Sequence, residues 1–275
     1  MRKRFTREQI LNRLRKTVSE KRPIIGTGAS CGIIAKCAEI GGADLIIVYS
    51  TGKSRLMGVP SSRLGNSNVL TLEMGKEIFN VVKDTPVIAG IEATDPTSMD
   101  LELLVEPFIN AGYSGIINYP TMGSFTTYRK KRESVGLGFS REVDMIKLAR
   151  DKDIFTIVYV FSPEDTEEMV KAGADCVCTH VGGTSGGLVG YKGEVVKSFD
   201  NSVKAIQEMV EAAKAVNPDV ICLCHGGPIE APEDTIDIYK HTDVVGYVGA
   251  SSIERIPVER AIIEIVKNFK SVMIR

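Results

Sequence analysis

The stretch KAGADCVCTHVGG (residues 171–183) leaves a helical pattern at a glycine, runs at once into a short apolar β-rich segment, and closes on His180 and two further glycines. The same exit recurs as GGAD (41–44) and NAGYSG (110–115). Gly41, Gly112 and Gly173 stand where a left-handed stop ends a helix. Helix, glycine turn and buried strand in sequence mark a repeated βα unit.

Working outward, strands are predicted at 24–27, 44–49, 87–92, 115–118, 155–159, 176–180, 220–225 and 245–250. Most are continuous apolar runs, as parallel strands covered on both faces should be. Helical patterns fill the intervals at 31–40, 70–82, 98–111, 141–152, 163–172, 201–216, 232–241 and 257–270. Pro163, Pro232 and Pro257 lie near helix starts, where a missing N–H costs little. Eight such units predict an α/β fold of the (β/α)8 TIM-barrel class. A doubly wound open sheet is the competitor, but GTGASC (26–31) lacks the third glycine of a dinucleotide loop. An extra helix at about 6–21 precedes a barrel at about 23–270, so residues 1–275 are expected to form one domain. Thr6 and Gln9 make a capping box for that helix, and Ile10, Leu11, Leu14 and Val18 form its apolar stripe. Either a subunit contact or a cap over the barrel's N-terminal end would use that stripe.

Composition narrows the function classes. The 275 residues carry 34 Lys+Arg against 35 Asp+Glu, a net charge of −1, which argues against a nucleic-acid partner. No apolar run approaches a membrane span, and the basic start lacks the apolar core of a signal peptide. Six cysteines without a disulfide-like spacing fit a reducing cytoplasm.

In a barrel, reactive groups sit at the C-terminal ends of strands and in the loops that follow. His180 and His225, two of only three histidines, end adjacent predicted strands and are candidate acid/base groups. Tyr159 ends the fifth strand and joins them; Asn118 and Tyr119 end the fourth and are binding candidates. HVGGTSGG (180–187), HGGP (225–228) and GASS (249–252) bring Gly182, Gly183, Gly226, Gly227, Ser251 and Ser252 to the same rim. Backbone of that kind suits a phosphate or carboxylate, so a small anionic substrate is expected. Ser50, Thr51 and Gly52 offer donors to an oxyanion, with a simple turn as the alternative. Glu92 and Asp95 form a carboxylate pair suited to Mg2+, although Asp95 equally suits a helix N-cap. Cys176/Cys178 and Cys222/Cys224 read as buried thiols rather than a zinc site. No lysine ends a strand, which disfavours Schiff-base chemistry. Residues 50–69, 119–139 and 181–200 are long loops. The second, with Arg129 in its basic RKKR run, is expected to be either a lid over an anionic substrate or the solvated face of a short helix.

NYPTMG (118–123), ATDP (93–96), AGAD (172–175), CHGGPIEAPED (224–234) and GASSIER (249–255) resemble the phosphoenolpyruvate hydrolase family, also described as TIM-barrel signal-transduction proteins. The resemblance runs from about Pro23 to Phe269. It implies a barrel similar to the phosphoenolpyruvate/pyruvate superfamily, whose members bind Mg2+ and stabilise a pyruvate enolate. It also implies that Ser50-Thr51-Gly52 matches the turn that holds the pyruvyl oxygens. The superfamily's metal-binding acidic motif after the third strand is not reproduced; Glu92 and Asp95 are only a partial substitute.

The leading expectation is a Mg2+-dependent hydrolase or lyase of phosphoenolpyruvate or a related 2-oxo acid. A second is a class II-like aldolase holding Zn2+ on His180 and His225. The third is a non-catalytic sensor of a small anion. A homo-oligomer without nucleic-acid or membrane partners is expected in each case.

Overall fold

The apolar runs pair as eight parallel strands in chain order, and the last closes on the first. A computed structural model describes residues 4–125, 127–193 and 196–274. Its strands are β1 (Ile24–Gly28), β2 (Leu45–Val48), β3 (Val87–Gly90), β4 (Gly115–Ile117), β5 (Phe155–Val160), β6 (Cys176–His180), β7 (Ile221–His225) and β8 (Gly246–Gly249). They form a closed barrel, β1 pairing with both β2 and β8, as the TIM-barrel expectation required.

Alternation along each strand divides the core in two. Leu45, Ile47, Ile157, Cys176, Cys178 and Leu223 fill the barrel interior, while Ile46, Val48, Val158, Val177, Cys222 and Cys224 pack beneath the helices. The two cysteine pairs therefore face opposite sides of the barrel wall and do not make one site. Burial pushes the Cys222 and Cys224 thiols up to about 11 and about 12, and those of Cys176 and Cys178 well above the ordinary value. All six cysteines are free.

Helix α1 (Arg7–Ser19) carries the capping box of Thr6 and Gln9. Ile10, Leu11 and Leu14 join the interior cluster with Ile24 and Leu45, so this helix plugs the barrel's N-terminal end. The stripe thus serves the cap, one of its two expected uses. Around the barrel run α2 (Gly32–Ile40), α3 (Thr51–Leu56), α4 (Ser67–Val81), α5 (Leu101–Ala111), α6 (Thr127–Glu133) and α7 (Phe139–Asp151). The circuit continues with α8 (Pro163–Lys171), α9 (Phe199–Val216), α10 (Asp234–His241), a π-helical turn at Ser251–Arg255, and α11 (Ile256–Ser271).

Several expectations need correction. The first long loop contains a short helix, α3, that was not expected, and the second contains α6, the short helix that was one of its two readings. Gly112 and Gly173 take positive φ as expected, but Gly41 stays right-handed and Gly42 makes the turn at φ 88°. Asp100, rather than Asp95, caps α5, accepting from the N–H groups of Glu102 and Leu103. Among the described residues no helix is long and apolar enough to cross a membrane.

Candidate active site at the barrel mouth

Register brings the two histidines together. His180 and His225 are direct partners across β6 and β7, and their ring centroids lie 4.6 Å apart. Both rings line a cavity of about 380 Å³ at the C-terminal end of the barrel. Tyr159 borders both, 5.0 Å from each ring, and Phe161 stacks on His180 at 4.6 Å.

Their hydrogen bonds fix opposite tautomers. His225 Nδ1 lies 2.6 Å from the Val248 carbonyl, which only accepts, so Nδ1 carries the proton and Nε2 keeps a lone pair. His180 Nδ1 instead accepts the Gly182 N–H at 3.1 Å, so in its neutral ring the proton sits on Nε2. Burial pushes His225 down to about 4. Burial, then the His225 and Lys197 charges, pushes His180 well below the ordinary histidine value. At neutral pH the pair is uncharged, one ring offering a base and the other a donor.

The cavity also holds residues that strand-end reasoning passed over. Tyr49, on the inward face one step beyond β2, lies 4.7 Å from Tyr119, which in turn lies 5.5 Å from Tyr159. Arg55, on α3, borders the cavity and donates through Nε to Glu254 Oε1 at 2.5 Å. Glu254 also accepts from Ser30 Oγ, and Arg55 Nη1 reaches Ser61 Oγ at 3.2 Å. Burial opposes the Arg55 charge, but attraction from Glu254 outweighs it and the guanidinium pKa is raised.

Of the expected site residues, His180, His225, Tyr159, Tyr119, Gly182, Gly183 and Ser251 meet around this cavity. The others are placed differently. Asn118 is fully buried; its amide donates to Glu142 and the Tyr159 carbonyl and accepts the Tyr159 N–H, tying β4 to β5. Glu142 also accepts from Thr121 Oγ1 and the Met122 N–H, each at 2.6 Å. Burial lifts Glu142 to about 7 against those donors. Ser50, Thr51 and Gly52 are buried and open α3 rather than lining the cavity. Gly226 and Gly227, at φ 84° and 59°, fasten two loops together. The Gly227 N–H donates to the Gly182 carbonyl at 2.9 Å and is not open to an anion. A Cβ on Gly226 would lie 2.1 Å from that same carbonyl oxygen. Ser252 Oγ pairs with the Tyr247 hydroxyl at 2.8 Å. Arg129 pairs with Asp165 at 2.6 Å and lies over Phe139, in a neighbouring groove. The basic run lies on the short helix α6.

The carboxylates expected to hold metal are otherwise engaged. Asp95 Oδ1 accepts from the Thr97 N–H and Oγ1, and its Oδ2 from Asn66 and Asn68. Glu92 is buried against Arg63. Among the described residues no three His, Cys, Asp or Glu side chains gather to hold a metal ion, so His180 and His225 lack the third ligand a zinc aldolase needs.

Comparison with known proteins agrees with this architecture. A family described as phosphoenolpyruvate hydrolase-like matches residues 9–272. The ToMV susceptible protein tm-1(GCR26) of Solanum lycopersicum is 40% identical over 269 residues, covering 96% of this chain but 35% of that protein. The chain thus spans about a third of that relative's length. Among solved structures, phosphonopyruvate hydrolase with oxalate and Mg++ is similar at TM-score 0.58 and 19% identity, over 94% of this chain and 84% of that one. Oxaloacetate acetylhydrolase with 3,3-difluorooxalacetate is similar at TM-score 0.62 and 15% identity, over 97% and 88%. At such identities the structures establish the fold alone.

Proposed function

This chain belongs to the phosphoenolpyruvate hydrolase-like family, and from that membership we propose that it is a hydrolase or lyase acting on phosphoenolpyruvate or a related 2-oxo acid through an enolate. The observation that carries this reading is the neutral histidine pair of opposite tautomer beside one cavity. His225 Nε2 takes a proton from the carbon next to the keto group. The C–H electron pair becomes the C=C bond, and the carbonyl π pair moves onto oxygen. His180 Nε2–H donates to that oxygen as charge develops there. The Val248 carbonyl holds His225 Nδ1–H and steadies the imidazolium that forms. Arg55 and Ser251 stand ready for the substrate carboxylate.

Mg2+ is the metal this reading would carry over from the oxalate-bound neighbour. Glu92, paired with Arg63, and Asp95, held by Thr97, Asn66 and Asn68, do not fit it as they stand.

The test is exchange at C3 of pyruvate in D2O, followed by proton NMR, alongside phosphate release from phosphoenolpyruvate. Exchange or turnover well above the buffer rate is expected. Binding confirmed by calorimetry with neither reaction would refute the enzyme and leave an anion sensor.

A homo-oligomer also belongs to this proposal. Ile256 is the one buried residue of α11, while Ile262, Ile265, Val266 and Phe269 are 50–75% exposed. An amphipathic helix with its apolar face in water calls for a covering surface, and a second copy of the chain supplies one of matching size. Ile262→Lys with Phe269→Lys should convert the oligomer to a monomer in light scattering; an unaltered mass would remove α11 from the interface.

A further inference from the structure

The lining of the mouth cavity discriminates among substrates of the proposed kind. Among its described residues it holds one formal cation, Arg55, already paired with Glu254, and the histidines beside it are neutral. A phosphate monoester alone carries a charge of about −1.5 to −2, and phosphoenolpyruvate adds a carboxylate. One neutralised guanidinium among the side chains suits a single carboxylate better than a phosphate and a carboxylate together. In the adjoining groove of about 990 Å³, Arg129 is paired with Asp165, and Lys130 and Lys197 share the lining with Glu133 and Glu168.

What the cavity has in quantity is aromatic surface. Tyr49, Tyr119, Phe125, Tyr159, Phe161 and Tyr191 all border it. Phe125 and Tyr191 remain 48% and 45% exposed. Tyr191 is seated against bare backbone, since a Cβ on Gly183 would lie 2.2 Å from its ring. Large rings left open at the rim of a site are ligand-facing surface. The volume, about 380 Å³, lies at the lower end of the ~300–1,000 Å³ range of small-molecule pockets and leaves room for a tail beyond a three-carbon acid.

We propose that the substrate is a 2-oxo acid with a single carboxylate, met by Arg55, and an aromatic or bulky apolar tail that packs against Phe125, Phe161 and Tyr191. This rests on the enolate reading above and selects among its substrates, against phosphoenolpyruvate. Burial of a phenyl group against these rings adds about tenfold or more in affinity.

The experiment measures calorimetric affinity for 2-oxo-4-phenylbutanoate, pyruvate and phosphoenolpyruvate, with C3 exchange in D2O for the first two. The phenyl compound should bind at least about tenfold more tightly than either of the others. Tyr191→Ala and Phe125→Ala should each weaken its binding by about tenfold, two rim variants guarding against the misfolding of one. Phosphoenolpyruvate binding as tightly as the phenyl compound, or no detectable binding of the phenyl compound, overturns the proposal. Tight binding of the phenyl compound without exchange upholds the ligand class and removes the enolate step. Exchange of pyruvate with no gain in affinity for the phenyl compound does the reverse.

Discussion

Replacing His225 with asparagine should slow C3 exchange of a 2-oxo acid by ~10²-fold or more, the usual loss when a positioned base is removed. The asparagine amide keeps a donor for the Val248 carbonyl, so the hydrogen bond at 2.6 Å has a substitute and the barrel should stay folded. His180→Asn should cost a similar factor, because it takes the Nε2–H donor from the developing oxyanion. The pH profile tests the same assignment from another side. His225 sits at about 4 in the fold against an ordinary 6.5, so the base stays unprotonated well into acid. The acid limb of kcat/KM should therefore fall near pH 4. Stability follows the same sign: a depressed histidine contributes fully above pH 6.5, and its contribution is lost as pH falls toward 4. Exchange within threefold of wild type in both asparagine variants, or an acid limb at pH 6.5, would contradict these roles.

The barrel was legible because its strands are buried on both faces and so read as unbroken apolar runs between glycine turns. Helix α3 was not, and α6 was read only as one of two alternatives, for a physical reason. They span six and seven residues, and α6 buries none of them, so neither shows the two-turn apolar stripe that a periodicity reading needs. The shift from Gly41 to Gly42 as the left-handed residue lies below the resolution of composition, since both are glycine.

The site was legible in part. His180 and His225 followed from the strand-end rule, because register alone sets them side by side. The family motifs read as ligand groups turn out largely to hold the mouth in shape. Asn118, Thr121 and Met122 converge on Glu142, the loop carrying Asp95 is pinned by Arg141 on the Ala93 carbonyl, and Gly227 fastens Gly182. Glycines and small polar residues serve a rigid rim as well as they serve a ligand, and sequence does not separate the two. Arg55 escaped notice because its partner Glu254 is 199 residues away and no local pattern joins them.

That pair yields the second large effect. Glu254→Ala should destabilise the fold by about 3–5 kcal/mol, the usual cost of leaving a buried charge without its partner. Arg55 has 7% of its surface exposed, and Glu254 is its only carboxylate partner among the described residues. Losing the carboxylate also strips Ser30 Oγ of its acceptor. The double variant Arg55→Met with Glu254→Leu should recover much of that loss, since a well-packed apolar pair often replaces a buried ion pair at little cost. It should nevertheless bind no 2-oxo acid, because the only cation lining the described part of the cavity is gone. Urea unfolding of the three proteins, with calorimetry on the double variant, separates the two roles. An unchanged urea midpoint for Glu254→Ala would mean that the pair adds nothing to the fold. Retained substrate affinity in the double variant would mean that Arg55 only braces α3 against the turn after β8 and does not meet a carboxylate.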